Sequence, residues 1–340
     1  MDTVPELSKI GSEPATEAQE FAVGALIPAL IRAQNHDGGW GFRANLQSRV
    51  EPTSWALLAL HQYSSEPNVQ SATERADDLL HKSQLADGSW PVASPDFSKA
   101  PRHTKQNDDS PVAEEKGAWV TALACWASLS SAKNRDSLKR GLDWLCADRP
   151  GESGFWWRLR RSLAGNAKLA KQSDSYYGWS WTPGTASWVE PTSQALIVLN
   201  GAPVDILPVS AAERMKLAGS MLYDRMCIGG GWNCGNPMVY GVPGEPLVGP
   251  TVWALLALRG NLQRPPNQLS LDWLERTFGA MGSVESFTLA HIGLSLCCRA
   301  GQNRPALIRK AVENRVQNLS VPDLAWTALA LCQKDWLPHR

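Results

Sequence analysis

Two kinds of helical pattern alternate along the chain. The first is apolar nearly all round and is written almost identically three times: Glu51-Pro52-Thr53-Ser54-Trp55-Ala56-Leu57-Leu58-Ala59-Leu60, Glu190-Pro191-Thr192-Ser193-Gln194-Ala195-Leu196-Ile197-Val198-Leu199 and Gly249-Pro250-Thr251-Val252-Trp253-Ala254-Leu255-Leu256-Ala257-Leu258. Proline at the first helical turn costs no hydrogen bond and pre-sets φ. A helix without a polar face lies inside something. Weaker relatives start at Gly117, Phe287 and Leu324, which makes six. The second kind is amphipathic, at roughly 17–34, 70–84, 135–147, 208–227, 267–278 and 303–317. In 70–84, Ala72, Ala76, Leu79 and Leu80 fall on one side, and Glu74, Arg75, Asp77, Asp78 and Lys82 on the other.

A decapeptide copied along a chain marks a repeated supersecondary unit. Six doubly covered helices alternating with six half-exposed ones predict an all-α fold, an α6/α6 barrel (toroid) with an inner and an outer ring. An open helical array is the alternative. The barrel accounts for 17–340 as a single domain behind an N-terminal tail, 1–16. Two insertions interrupt the rhythm, at about 91–115 and 148–189.

The turns carry a second signature. Gln34-Asn35-His36-Asp37-Gly38-Gly39-Trp40 and Gln84-Leu85-Ala86-Asp87-Gly88-Ser89-Trp90 each close an outer helix, and Gly229-Gly230-Gly231-Trp232 is a degenerate third. Asp-Gly makes a tight turn with positive φ. Trp40, Trp90 and Trp232 then pack over the turn as staples, while Gln hydrogen-bonds across helix ends.

Gln-x-x-Asp-Gly-(Gly/Ser)-Trp followed by Pro-Thr-x-x-Ala-Leu-Leu-Ala-Leu resembles the prenyltransferase and squalene-cyclase repeat over nearly the whole chain. The resemblance implies an α6/α6 toroid and an isoprenoid substrate or ligand held in an apolar, Trp-lined cavity. It speaks more to fold than to activity, because that superfamily holds terpenoid cyclases, prenyltransferase β subunits and non-enzymatic members. Full-length triterpene cyclases have two such domains, and this chain has length for one.

The second insertion bears Phe155-Trp156-Trp157-Arg158-Leu159-Arg160-Arg161-Ser162-Leu163, continuing to Lys168 and Lys171. Trp156, Leu159, Leu163, Ala167 and Ala170 share one helical face, with Arg and Lys opposite. Such a helix, 155–172, suits a membrane interface, packing on the barrel, or an Arg/Lys clamp for a diphosphate. Triterpene cyclases sit on membranes without spanning them, so the resemblance leans toward the first. The insertion ends in Tyr176-Tyr177-Gly178-Trp179-Ser180-Trp181 and Trp188, aromatic rings suited to a pocket or to the core.

Composition sharpens this picture in three places. Lys+Arg and Asp+Glu are 33 each, so no global field attracts nucleic acid. The 16 Trp outnumber 5 Tyr and 6 Phe, which agrees with repeated staples and an aromatic interior. Seven Cys, mostly within apolar stretches, fit reduced buried thiols and a cytoplasmic location, peripheral at the inner membrane face. Residues Met1 to Ser12 lack a signal-peptide pattern, and no apolar run reaches the length of a membrane span.

Cyclisation started by protonation needs a carboxylic acid held neutral by an apolar pocket. The cyclase motif Asp-x-Asp-Asp has no intact copy. Gln106-Asn107-Asp108-Asp109 is the nearest, and Asp108 and Asp109 are candidates, although Asp109 also reads as a helix cap. Laying the cyclase motif on Glu-Pro-Thr-Ser makes Glu190 the acid. Glu51 holds the same place in the first copy, so the repeat and the helix dipole also account for it. The candidate ligand-binding rings are Trp188, Trp181, Trp179, Tyr177, Trp55, Trp119 and Trp253. Cys234, His291 and Cys297 do not make up a zinc set, and no cofactor is expected. Three functions remain open: an isoprenoid cyclase, a non-catalytic isoprenoid- or partner-binding toroid, and a carbohydrate-active barrel with paired carboxylates. The interior separates them: apolar and closed at one end for isoprenoid, open and carboxylate-lined for glycan.

Overall fold

The computed structural model describes residues 13–92, 116–131, 133–163, 173, 175–299, 301, 303–332 and 334–338. The apolar helices are α3 (Val50–Gln62), α5 (Ala118–Leu129), α8 (Val189–Gly201), α10 (Val248–Ala257), α12 (Val284–Leu296) and α14 (Val321–Leu331). The amphipathic ones are α1 (Glu13–Phe21), which runs through a π-helical turn into α2 (Ile27–Arg32), then α4 (Val69–Lys82), α6 (Arg135–Ala147), α9 (Ala211–Asp224), α11 (Pro265–Thr277) and α13 (Arg304–Val312). A short helix, α7 (Phe155–Leu163), stands in the second insertion. The strands among the described residues are β1 (Met238–Val239) and β2 (Val242–Pro243), paired as a hairpin.

Helix α3 packs on α5, α5 on α8, α8 on α10, α10 on α12 and α12 on α14, and α14 returns to α3. The contacts therefore close on themselves. Outside them α4 lies on α3, α6 on α5, α9 on α8, α11 on α10 and α12, α13 on α12 and α14, and the α1–α2 run on α14. The fold is an α/α toroid.

Close approach within the inner layer comes from small residues. Ala56, Ala195, Ala254 and Ala290 are fully buried. A Cβ on Gly293 of α12 would stand 2.9 Å from Val252 Cγ2 of α10, so a larger residue there would push the two helices apart.

Each Trp of the turn signature ties three segments together. The Trp40 amide donates to Thr53 Oγ1 at 2.9 Å, and its Nε1 donates to Leu30 O at 2.8 Å. Trp90 repeats this with Thr121 and Leu80, and Trp232 with Thr251 and Leu222. One outer helix end, the turn and the next inner helix are thereby locked together. Gln34 Nε2 donates to Gly38 O and Ala72 O, and Gln84 Nε2 to Gly88 O and Ser137 O, so glutamine bridges helix ends as the sequence indicates. The turns need glycine: Gly38 and Gly88 both sit at φ +94°, and a Cβ on either would meet a backbone carbonyl at 2.6 Å. Replacing Thr53 by Val leaves the buried Trp40 amide without its acceptor. The expected loss is about 1–3 kcal/mol in urea unfolding, where a surface Thr→Val change costs almost nothing.

Indole rings occupy the interior. Trp55 of α3 stacks on Trp253 of α10, centroids 5.4 Å apart and planes 28° apart, and meets Trp126 and Trp326 edge-on. Helices α3 and α10 stand across the ring from each other, so this stack crosses the centre. Trp336 lies against Trp126 from the opposite end of the barrel, at 5.6 Å. The central rings therefore pack on one another where an open Trp-lined cavity was expected.

Candidate functional site

Trp–Thr staples on α3, α5, α8 and α10 and serine caps on α12 and α14 fix where the inner helices begin, and with it a ring of six positions. The second residues of α3, α5, α8, α10, α12 and α14 are Glu51, Trp119, Glu190, Gly249, Glu285 and Pro322. Glutamate thus alternates around one mouth of the toroid with Trp, Gly and Pro. Positions i and i+4 share a helix face, so Trp55, Leu123, Gln194, Trp253, Leu289 and Trp326 lie one turn, roughly 5–6 Å, beneath the mouth positions. Carboxylates thus ring this mouth, called the rim basin below, and indoles lie one turn beneath them.

The rim acids differ in their surroundings. Burial pushes Glu190 up to about 7, and the charge of Glu285 adds to the shift. Burial likewise raises Glu51 to about 7, with the Arg49 guanidinium opposing it. Glu285 is the most exposed of the three, and the partial burial of its carboxyl, followed by the charge of Asp323, raises it. Asp323 belongs to a capping box: its carboxylate accepts from the Ser320 amide and hydroxyl while Ser320 Oγ accepts from the Asp323 amide. It therefore holds α14. Gly249 leaves room for the Glu190 carboxyl, since a Cβ there would stand 3.2 Å from Glu190 Oε1. The loop before α10 closes on the other side, with the Val189 amide donating to Cys234 O at 3.1 Å. The Cys234 thiol is raised by burial and then by the charge of Glu190.

Two raised carboxylates have a consequence for stability. Below about 4.5 both are protonated whether the chain is folded or not, and above about 7 both are ionised in either state. Their stabilising contribution is therefore complete at the acid end and is lost as pH rises from 4.5 through 7. Glu51→Gln removes one such loss. It should raise stability at pH 8 by about 2 kcal/mol and change little at pH 4, as read by urea unfolding at the two values.

Aromatic rings flank the rim. Trp119 and Trp181, both half-buried, meet edge to face at 5.4 Å between α3 and α8. Trp188, also half-buried, directly precedes α8. The interior adds polar atoms: Gln194 Oε1, Trp326 Nε1, Trp126 Nε1 and Thr288 Oγ1 are buried and have no hydrogen-bond partner among the described residues. Groups left in this way call for water or a ligand.

The structure redistributes the sequence candidates. Glu190, Trp119, Trp181 and Trp188 come together at the mouth. Trp55 and Trp253 lie one turn beneath it, but at 1% and 3% exposed they are packed into the central stack, a correction to their reading as ligand-binding rings. Trp179 is a correction: it is fully buried, donates from its amide to Thr192 Oγ1 and from Nε1 to Leu145 O, and is the staple of its repeat. A ring so enclosed is out of a ligand's reach. Tyr177 lies with it, under the Arg214 guanidinium of outer helix α9, which sits 5.2 Å from the Tyr177 ring and 4.1 Å from Trp179. Asp108 and Asp109 lie outside the described residues. His291 is buried midway along α12, pushed down to about 4 by burial, and is not gathered with Cys234 and Cys297 into a metal-binding group. Glu285 was missed, because the sequence pattern starts the fifth apolar helix at Phe287. Counting back to the preceding Val-Glu pair would have found it.

A separate cleft of about 510 Å³ opens at the far end of the barrel, between Asn200, Arg259, Asn261 and the tail residues Leu337 and Pro338. It borders no rim carboxylate.

No family model matches the chain, and no curated protein matches it. Solved structures do. A protein from Actinoplanes superposes with TM-score 0.58 at 14% identity, over 92% of this chain and 98% of that one. The apo type II terpene cyclase MstE from Scytonema gives 0.52 at 13%, over 88% and 79%. A glycosidase in complex with glucose gives 0.56 at 12%, over 96% and 98%. At such identities the likeness establishes the α/α toroid alone.

Proposed function

We propose that the toroid is an α6/α6 barrel that binds a carbohydrate in the rim basin and hydrolyses a glycosidic bond there. The mouth itself carries this reading: three carboxylates ring it, and beneath them Gln194 Oε1 and Trp326 Nε1 are buried without a hydrogen-bond partner. Hydroxyl groups can satisfy such atoms and hydrocarbon cannot. Trp119 and Trp181, half-buried and set edge to face, supply aromatic rings beside the mouth of the kind on which sugars stack. The glycosidase likeness agrees in fold.

In the proposed step Glu190, its carboxyl pushed up to about 7, donates its proton to the glycosidic oxygen as the C–O bond breaks. Glu285, the more exposed of the two, accepts a proton from the water that attacks the anomeric carbon. The products are the freed alcohol and a hemiacetal. Glu51 is the third rim acid, placed to hold a hydroxyl.

A second reading keeps Glu190 as the acid and gives it an alkene or epoxide, as in a protonation-initiated cyclase. Its raised proton affinity and the indoles beneath it favour this reading. One panel separates the two: α- and β-linked gluco-oligosaccharides assayed for new reducing ends, and squalene, oxidosqualene and linear prenyl diphosphates assayed by mass spectrometry. Reducing ends from a glycan support the proposal. A cyclised hydrocarbon with every glycan untouched sinks it. Saturable binding without turnover assigns the basin to a non-catalytic binding toroid.

A further inference from the structure

Helix α7 stands apart from the toroid's packing. It contacts the 3-10 turn Gly151–Ser153, and a Cβ on Gly151 would stand 3.3 Å from the Trp157 ring. That turn is itself fastened to the loop before α8, with the Gly151 amide donating to Thr185 O at 2.8 Å. The helix is thus held from its Trp157 side.

At about 100° per residue, positions 155, 156, 159 and 163 fall within one arc of about 100°, and position 157 falls well outside it. Phe155 is 70% exposed, Trp156 74% and Leu163 79%, and Leu159 is exposed beside them. The arc is therefore a continuous apolar strip facing away from the body that holds the helix. Among the described residues nothing covers it. Arg158 and Arg160 occupy the register positions on either side of the strip, with Arg161 behind.

We propose that α7 docks the protein on an anionic lipid surface, with the strip entering the headgroup boundary and the arginines meeting lipid phosphates. Four features combine here: exposed aromatic and aliphatic side chains, arginines at the sequence positions that border them, attachment by the opposite side, and a length far below that of a spanning helix. No described helix is long and apolar enough to cross a membrane. Charge decides the occupant. A second copy of the chain would set the same arginines against each other, whereas acidic headgroups neutralise them. The chain carries equal numbers of acidic and basic groups, so the attraction is local and sensitive to salt.

The test is co-sedimentation of the full-length protein with phosphatidylcholine vesicles, with and without phosphatidylglycerol. Binding is expected to the anionic vesicles and to fall steeply with added salt. Trp156→Glu combined with Leu163→Glu should weaken it at least ~tenfold, with unchanged circular dichroism because both positions face solvent. Wild-type protein that ignores both vesicle types overturns the proposal, as does a double variant that binds as well as wild type. A dimer in light scattering that the double variant abolishes, without vesicle binding, gives the strip to a second copy and equally overturns it. Glycan turnover by the double variant should be unchanged, which keeps this outcome apart from that of the rim basin.

Discussion

Glu190→Gln should lower turnover of the rim basin's substrate by roughly 10²–10⁴-fold, the range expected for loss of a positioned general acid. The amide keeps the shape and cannot give up a proton. KM should move much less, because the substituted side chain still fills the gap beside Gly249. Activity of the wild type should fall as pH rises through about 7, where Glu190 loses the proton it must donate. It should also fall at low pH as Glu285 becomes protonated and can no longer accept one. The same substitution should stabilise the fold above pH 7, since a partly buried ionised carboxylate disappears. An activity loss coupled to a stability gain marks an acid kept for chemistry, because a structural carboxylate would lose both. Turnover left unchanged by Glu190→Gln would remove it from the mechanism.

Trp55→Ala should be the most damaging single change to the fold. Its ring touches Trp126, Trp253 and Trp326 at centroid distances of 5.4–5.9 Å, and it is 1% exposed. Removal leaves a cavity where three helices face one another. The expected loss is about 3–5 kcal/mol, visible as a lower urea midpoint with an unchanged slope. Trp55→Phe should recover much of it. A loss below about 1 kcal/mol, the range of a surface substitution, would mean that the central rings do not pack as described.

Much of this arrangement is legible in the sequence, and the illegible parts have identifiable causes. Helices α4, α6 and α11 fall within two residues of the amphipathic segments at 70–84, 135–147 and 267–278, because a charged face with period 3.6 is a strong signal. The Trp40, Trp90 and Trp232 staples follow from the glycine turn just before each Trp, which stands ten residues after the Leu whose carbonyl it bonds, while the spacing to the Thr of the next helix varies from 13 to 31. Trp179 escaped that assignment because its turn, Gly178-Trp179 after an insertion, lacks both the Gln and Asp-Gly that flag Trp40 and Trp90 and the glycine run that flags Trp232. Which way the inner tryptophans point was not readable: a helix that is apolar all round has no face to orient it. That choice decides whether the indoles line a cavity or fill it. Trp336 belongs to no repeat and could not be placed at all. The site was half legible. Register alone found Glu190 and Glu51, but the alternation of Glu with Trp, Gly and Pro needed all the helix starts to be known together.

The return of α14 to α3 also bears on how the molecule is made. Tyr63 donates its hydroxyl to Ala328 O at 2.7 Å across a separation of 265 residues, and Trp326 reaches Trp55 over a similar span. Neither contact exists until the final inner helix has left the ribosome. Until then the nascent chain is a curved stack with an open edge, its buried-to-be indoles in water and its first inner helix lacking one flank. Closure of so distant a seam is slow by its topology. The interval before closure, more than the finished barrel, is where this protein is exposed to aggregation and to chaperones.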